Sequence, residues 1–197
     1  MTTARPDSQL NDRIEDALTN HPALETLAET LQVKVGALLE HVPEPVITFM
    51  HGQTIGHPLH PLLVHLPIGG WLIAGMLDAV PDGGEGSAGG GSTGRAADLA
   101  MLLGTVGAVG TIATGVVDWA TTRGHARRTG MVHALMNDTA FVLYGASLIS
   151  RWSGHRKLGR GLSGGGLAIS LVAAFLGGQL VYRHGLGVHK TLATPQG

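Results

Sequence analysis

The chain has 197 residues, of which 44% are hydrophobic and 14% charged, well below the roughly 25% charge of a soluble domain. A formal net charge of −1 leaves no basic surplus for a nucleic-acid partner, and that class is set aside. The absence of cysteine excludes disulfides, thiolate-held iron-sulfur clusters, c-type haem attachment and thiol catalysis within this chain.

Residues 1–55 read as a polar, amphipathic helical extension. DSQLNDRIEDALTN is a short helix with Asp7 or Ser8 as N-cap. Pro22 suits a first helical position, and Leu24, Leu27, Ala28, Leu31, Val35, Leu38 and Leu39 then recur at helical spacing. This second helix is expected to lie on a membrane or on a partner. No basic start, short apolar core and small-residue cleavage site precede residue 60, so the first span is expected to act as its own targeting signal.

Residues 56–190 carry four apolar stretches, about 61–80, 96–120, 131–150 and 162–182, each long enough at 1.5 Å per residue to cross a hydrocarbon core of roughly 30 Å. A flexible Gly/Ser-rich loop, 81–95, separates the first two, and basic turns separate the rest. The expected fold is all-α: an integral-membrane antiparallel four-helix bundle with an N-terminal amphipathic extension. Gly166, Ser170, Ala174 and Gly178 in the fourth stretch, and Gly107, Thr111 and Gly115 in the second, would let backbones approach closely in lipid. Lys and Arg balance at five on each face: Arg123, Arg127, Arg128, Arg183 and Lys190 against Arg95, Arg151, Arg156, Lys157 and Arg160. Orientation therefore rests on the head, which is most simply left on the cytoplasmic side where it is made.

Alternating spans bring the start of the first and third and the end of the second and fourth to one face. His57, His60, His65, Asp118, Trp119, His125, His133, Asn137, Gln179, Tyr182 and His184 all fall there. In the opposite half the ionisable residues are Asp78, Asp98 and Arg151. Ionisable groups inside a span are functional candidates, so His65, Asp118, His133 and Asp138 stand out. His65 and His133 enter at similar depth, as axial ligands of a b-type haem would, with Gly69 leaving room for a flat ring and Asp118 and Asn137 orienting the imidazoles. Arg123, Arg127 and Arg128 lie at the face where propionates would sit. Alternatively His57, His60, His65 and His133, with Asp118, supply donors for a transition-metal ion. A purely structural polar cluster accounts for the same residues.

Enzyme chemistry has little support. No His-Glu-x-x-His pattern occurs, and the Gly-x-Ser-x-Gly matches at Ser92 and Ser163 lie in glycine-rich sequence without the strand a nucleophile elbow needs.

GHPLHPLLVHLPIGGWLIAGMLD, TGVVDWA, GMVHALMNDTAFVLYGASLISR and LGGQLVYRHGLGV together resemble the domain-of-unknown-function 2231 family of bacterial membrane proteins, over about residues 52–188. ALTNHPALETLAETLQ is similar to the head of members that continue into a Rieske iron-sulfur domain. The resemblance implies a four-span bundle in the bacterial cytoplasmic membrane, without an established activity. It also implies a Rieske or cytochrome-type redox protein as partner, on another chain because this one has no thiolates. A homo-oligomer is a further expectation beside the lipid bilayer.

Overall fold

The computed structural model describes residues 6–80 and 91–186. Among them there are only helices and turns: α1 (Pro6–Thr19), α2 (Pro22–Leu39), α3 (Glu44–Met50), a 3₁₀ turn (Gln53–Ile55), α4 (Leu59–Leu63), α5 (His65–Ala79), α6 (Ser92–Trp119), α7 (Gly124–Trp152) and α8 (Arg156–Tyr182).

The four expected spans correspond to α4–α5, α6, α7 and α8, with boundaries extended into their flanks. The basic turn expected after the second span is helical from Gly124, and the next shrinks to residues 153–155. The Gly/Ser-rich loop lies outside the described residues over 81–90, and Ser92 to Arg95 already form the first turn of α6. Leu59–Ala79, α6 and α8 are long and apolar enough to cross a membrane. α7 matches them with 29 residues, but His133, Asn137 and Asp138 lower its hydropathy.

Close approaches give the antiparallel register directly. A Cβ on Gly70 would lie 2.6 Å from the Gly104 Cα, one on Gly107 would lie 2.6 Å from the Leu66 Cβ, and one on Gly115 would meet the His60 ring at 2.8 Å. As α4–α5 is followed backward, its partner on α6 moves forward. α7 and α8 do the same through Gly159 against Arg151, Gly166 against Tyr144 and Gly177 against His133. The stripe on α6 therefore packs as expected. On α8 the packing face is instead Gly159, Gly166, Ala173 and Gly177, because Ala174 is exposed and Gly178 faces open space.

The core is small: Trp71, Ala74, Met101, Ala108, Ala140, Tyr144 and Leu148, with the Trp71 and Tyr144 rings stacked at 4.1 Å. The outside carries the large apolar side chains, among them Met76 (72% exposed), Leu103 (62%) and Leu171 (63%). A bundle that turns its Leu and Val outward and its Gly, Ala and Thr inward is built for lipid rather than water.

The first span is broken at Val64. Pro67 has no N–H to bond the Leu63 carbonyl, and its ring crowds that carbonyl, so α4 ends and α5 restarts.

The head is part of the bundle. Ala28 of α2 is buried against Trp119 and Met131, with Leu24, Leu31 and Val35 packed around them. Leu27 and Leu38, expected on the same face, are exposed. α1 begins at Pro6, and the side chains of Asp7 and Ser8, expected to cap it, lie outside the described residues. α2 starts at Pro22 with the His21 side chain as its cap.

Candidate functional site

The face with the head carries the histidines, and the structure selects two for the interior. His60 on α4 donates Nδ1–H to the Thr111 carbonyl of α6 at 2.9 Å. His133 on α7 donates Nδ1–H to the Ala173 carbonyl of α8 at 2.8 Å. A carbonyl can only accept, so both rings carry their proton on Nδ1 and keep the Nε2 lone pair. Each ring also rests on a glycine of the helix that holds it. A Cβ would stand 2.8 Å from the His60 Cε1 at Gly115, and 3.0 Å from the His133 Cε1 at Gly177.

Asn137, one turn after His133, donates to the His133 carbonyl at 2.8 Å. Its amide nitrogen lies 3.2 Å from the ring Nε2 and 3.4 Å from Nδ1. A donor in line with the Nε2 lone pair would be much farther from Nδ1, so the amide rests against the ring and leaves that lone pair open.

Asp118, buried near the end of α6, accepts from His51 Nδ1–H at 2.7 Å. It thus pairs neither with Asn137 nor with His65. His51 follows α3 and is carried inward by a turn that only glycine can make. Gly52 has φ +78°, and a Cβ there would stand 1.8 Å from the His57 carbonyl oxygen.

His65 does not meet His133. It is exposed at the start of α5, with Nδ1 on the Leu62 carbonyl of the preceding α4 at 3.1 Å. The break at Val64 separates the two residues, and His60 on α4 faces α6 while His65 on α5 faces outward. His57 is exposed in the turn before α4. The set His57, His60, His65 and His133 is therefore not gathered, and among the described residues no three His, Cys, Asp or Glu converge where a metal ion could be held. Gly69 has open space beside it and no histidine ring, so the glycines next to the imidazoles are Gly115 and Gly177. Asp138 is on the exposed side of α7.

The head locks this end. Arg127 bonds Glu25 and, at 2.6 Å, Glu29, while Arg128 bonds Glu25 at 2.7 Å. Hydrogen bonds from both arginines hold the Glu25 carboxyl below its ordinary range. Glu15 on α1 is fully buried, accepting from Thr129 (2.6 Å) and His184 (2.7 Å) and pairing with Arg183 (2.8 Å). Burial pushes its carboxyl up, but those hydrogen bonds and the charges of His184 and Arg183 outweigh it and keep the group low. Of the three arginines placed for propionates, two are thus engaged with the head, and Arg123 stays exposed.

At the far face, Asp78, Asp98 and Arg151 form one buried network. Arg151 bonds both oxygens of Asp78, Asp98 at 3.1 Å, and the Ser147 and Ser163 hydroxyls at 3.0 Å each. Arg156 bonds Asp98 at 2.9 and 3.0 Å.

His51, Gly115 and Gly177 had no place in the site read from the sequence. The signal for the glycines was their position on α6 and α8 opposite the two histidines. His51 has none, because its approach depends on the Gly52 turn.

No curated protein and no solved structure is detectably similar to the chain. Residues 56–190, which hold the whole bundle with His60, Asp118 and His133, match the family described as a predicted membrane protein, DUF2231. The apolar exterior and three membrane-length helices agree with that description, and the chain belongs to the DUF2231 family.

Proposed function

We propose that the bundle is an electron-transfer module holding a b-type haem between His60 and His133. The observation that carries this reading is the matched pair of imidazoles, each pinned through Nδ1 to a neighbouring helix with Nε2 left as a lone pair. That is the tautomer and second-shell bond of a ligating histidine. Two protein donors suit a group that brings four nitrogens of its own, whereas a bare ion needs three or four. When bound, such a haem supplies one-electron redox chemistry. The chain's part is to fix both rings, to keep them neutral, and to let Asn137 and the His51–Asp118 pair set the polarity around them. A Rieske or cytochrome-type protein is the proposed electron partner, in a bacterial cytoplasmic membrane with the head on the cytoplasmic side.

The test is a reduced-minus-oxidised visible spectrum of protein expressed with ample haem and purified in mild detergent. A haem signal lost in His60→Ala and in His133→Ala, and kept in His65→Ala, is the expected result. No Soret band in the parent protein, or a signal that survives both interior variants, overturns the reading.

A further inference from the structure

The face opposite the histidines holds an open cleft of about 460 Å³ where the start of α6, the end of α7 and the start of α8 meet. Arg95, Asp98, Arg151 and Arg156 line it, with Leu99 and Trp152 among the apolar residues around them. The charges there do not cancel. The single carboxylate in the lining, Asp98, already bonds Arg151 and Arg156, and Arg151 spends its other donors on Asp78 and the two serines. Arg95 is exposed and makes no hydrogen bond or ion pair with any described residue. The Arg156 Nε is buried and has no acceptor. Helices α6 and α8 begin here and α7 ends here, so two positive dipole ends stand against one negative end. Trp152, 63% exposed, stands at a helix end, where aromatic side chains favour the boundary between lipid and water.

We infer that this cleft binds a phosphate group. A tetrahedral oxyanion can offer one oxygen to the guanidinium fork of Arg95 from α6 and another to the remaining N–H of Arg156 from α8, whose terminal nitrogens otherwise serve Asp98 and the Gly94 carbonyl. Asp98 and Arg151 form the fixed floor that keeps Arg156 in place. The phosphate comes from either a phospholipid headgroup, whose glycerol and acyl portions Leu99 and Trp152 would flank, or free phosphate in the adjoining solution. The site is at the other end of the bundle from His60 and His133, so it stands or falls independently of the haem.

The test follows thermal unfolding of the purified protein in neutral detergent. One arm titrates phosphatidylglycerol against phosphatidylcholine in mixed micelles. The other titrates inorganic phosphate against chloride at equal ionic strength. The variants are Arg95→Gln, which removes a side chain without partners among the described residues, and Lys157→Gln, which removes an equal charge outside the cleft lining. The expected result is a rise in unfolding midpoint whose half-saturating concentration increases about tenfold or more in Arg95→Gln and stays unchanged in Lys157→Gln. A response to phosphatidylglycerol alone identifies the lipid headgroup as the source, and a response to inorganic phosphate identifies the free anion. No response in either arm, or an equal weakening in both variants, overturns the proposal.

Discussion

His51 and Asp118, 67 residues apart in sequence, meet at 2.7 Å and tie the turn after α3 to the buried end of α6. The carboxylate is 8% exposed and the imidazole 11%, so removing the histidine leaves a nearly dry acid with its closest partner gone. His51→Ala is expected to lower stability in detergent by about 1–3 kcal/mol, read as a drop in unfolding midpoint. Asp118→Asn, which keeps an acceptor for the same N–H, is expected to lose less. Equal losses would show that the pair's charge contributes more than its hydrogen bond.

Gly115 and Gly177 are the floors on which the two interior imidazoles rest. An alanine at Gly115 places a methyl group 2.8 Å from a ring carbon of His60, closer than real contacts allow, so that ring must shift; at Gly177 the distance is 3.0 Å and the His133 ring must give by a few tenths of an ångström. Overpacking of this kind costs about 1–3 kcal/mol. Gly115→Ala and Gly177→Ala are expected to remain folded, with lowered midpoints, and to bind haem poorly. Gly178→Ala, one residue along and facing open space, is expected to match the parent in both measurements.

The acid response of the head follows from Glu15 and Glu25. Both carboxyls are held below their ordinary values in the folded protein, so the folded state favours their ionised forms. Their contribution is complete above the unfolded value, about 4.3, and drains away as pH falls through the lower folded value. The protection of the α1 and α2 amides, taken against their intrinsic exchange rate at each pH, is therefore expected to be high at neutral pH and to fall at strongly acidic pH. Glu15→Gln should lower the protection of α1 already at pH 7 and flatten its share of the pH dependence. Unchanged protection between pH 7 and pH 3 would show that apolar packing around Ala28 holds the head without these ion pairs.

The order and direction of the four bundle segments were legible because each is a long apolar run between polar punctuation, whereas α3 and the break of the first segment into α4 and α5 were not. The polar end was legible for the same reason: alternation alone brings His60, Asp118 and His133 to one face. Which histidine turns inward was not. His60 and His65 are equally suggestive as letters, and the choice between them comes from the break that Pro67 makes at Val64. α2, expected on a membrane or on a partner, packs on the bundle of its own chain; the sequence leaves this open because the Ala28 face fits a bilayer or a protein equally well. Its fit to Trp119 and Met131 depends on contacts about 90 to 100 positions away in the chain, which no local pattern encodes.

At the far face Arg151 holds two aspartates and two serines with no exposure of its own side chain. Arg151→Met leaves Asp78 with Arg160 at 3.4 Å and Asp98 with Arg156 alone, and removes the buried cation that lies between the two acids. Breaking a buried ion pair from one side costs about 3–5 kcal/mol, and a large fall in unfolding midpoint is expected. Arg151→Lys keeps the charge but cannot reach both oxygens of Asp78 together with Ser163, so only partial recovery is expected. Full recovery by lysine would show that charge alone matters there.

Tyr144 gives the opposite sign. Its ring stacks on Trp71 at 4.1 Å with 12° between planes, while its hydroxyl is buried without a hydrogen-bond partner among the described residues. The ring therefore contributes packing, and the hydroxyl contributes only the cost of leaving water unpaired. Tyr144→Phe keeps the stack and removes that cost, so stability is expected to stay level or rise by up to about 1–3 kcal/mol. Trp71→Ala deletes the stacked partner and opens a cavity, and is expected to lose about 3–5 kcal/mol. A Tyr144→Phe protein clearly less stable than its parent would mean that the hydroxyl is satisfied by a bound water within the bundle, which high-resolution diffraction of the parent would then reveal.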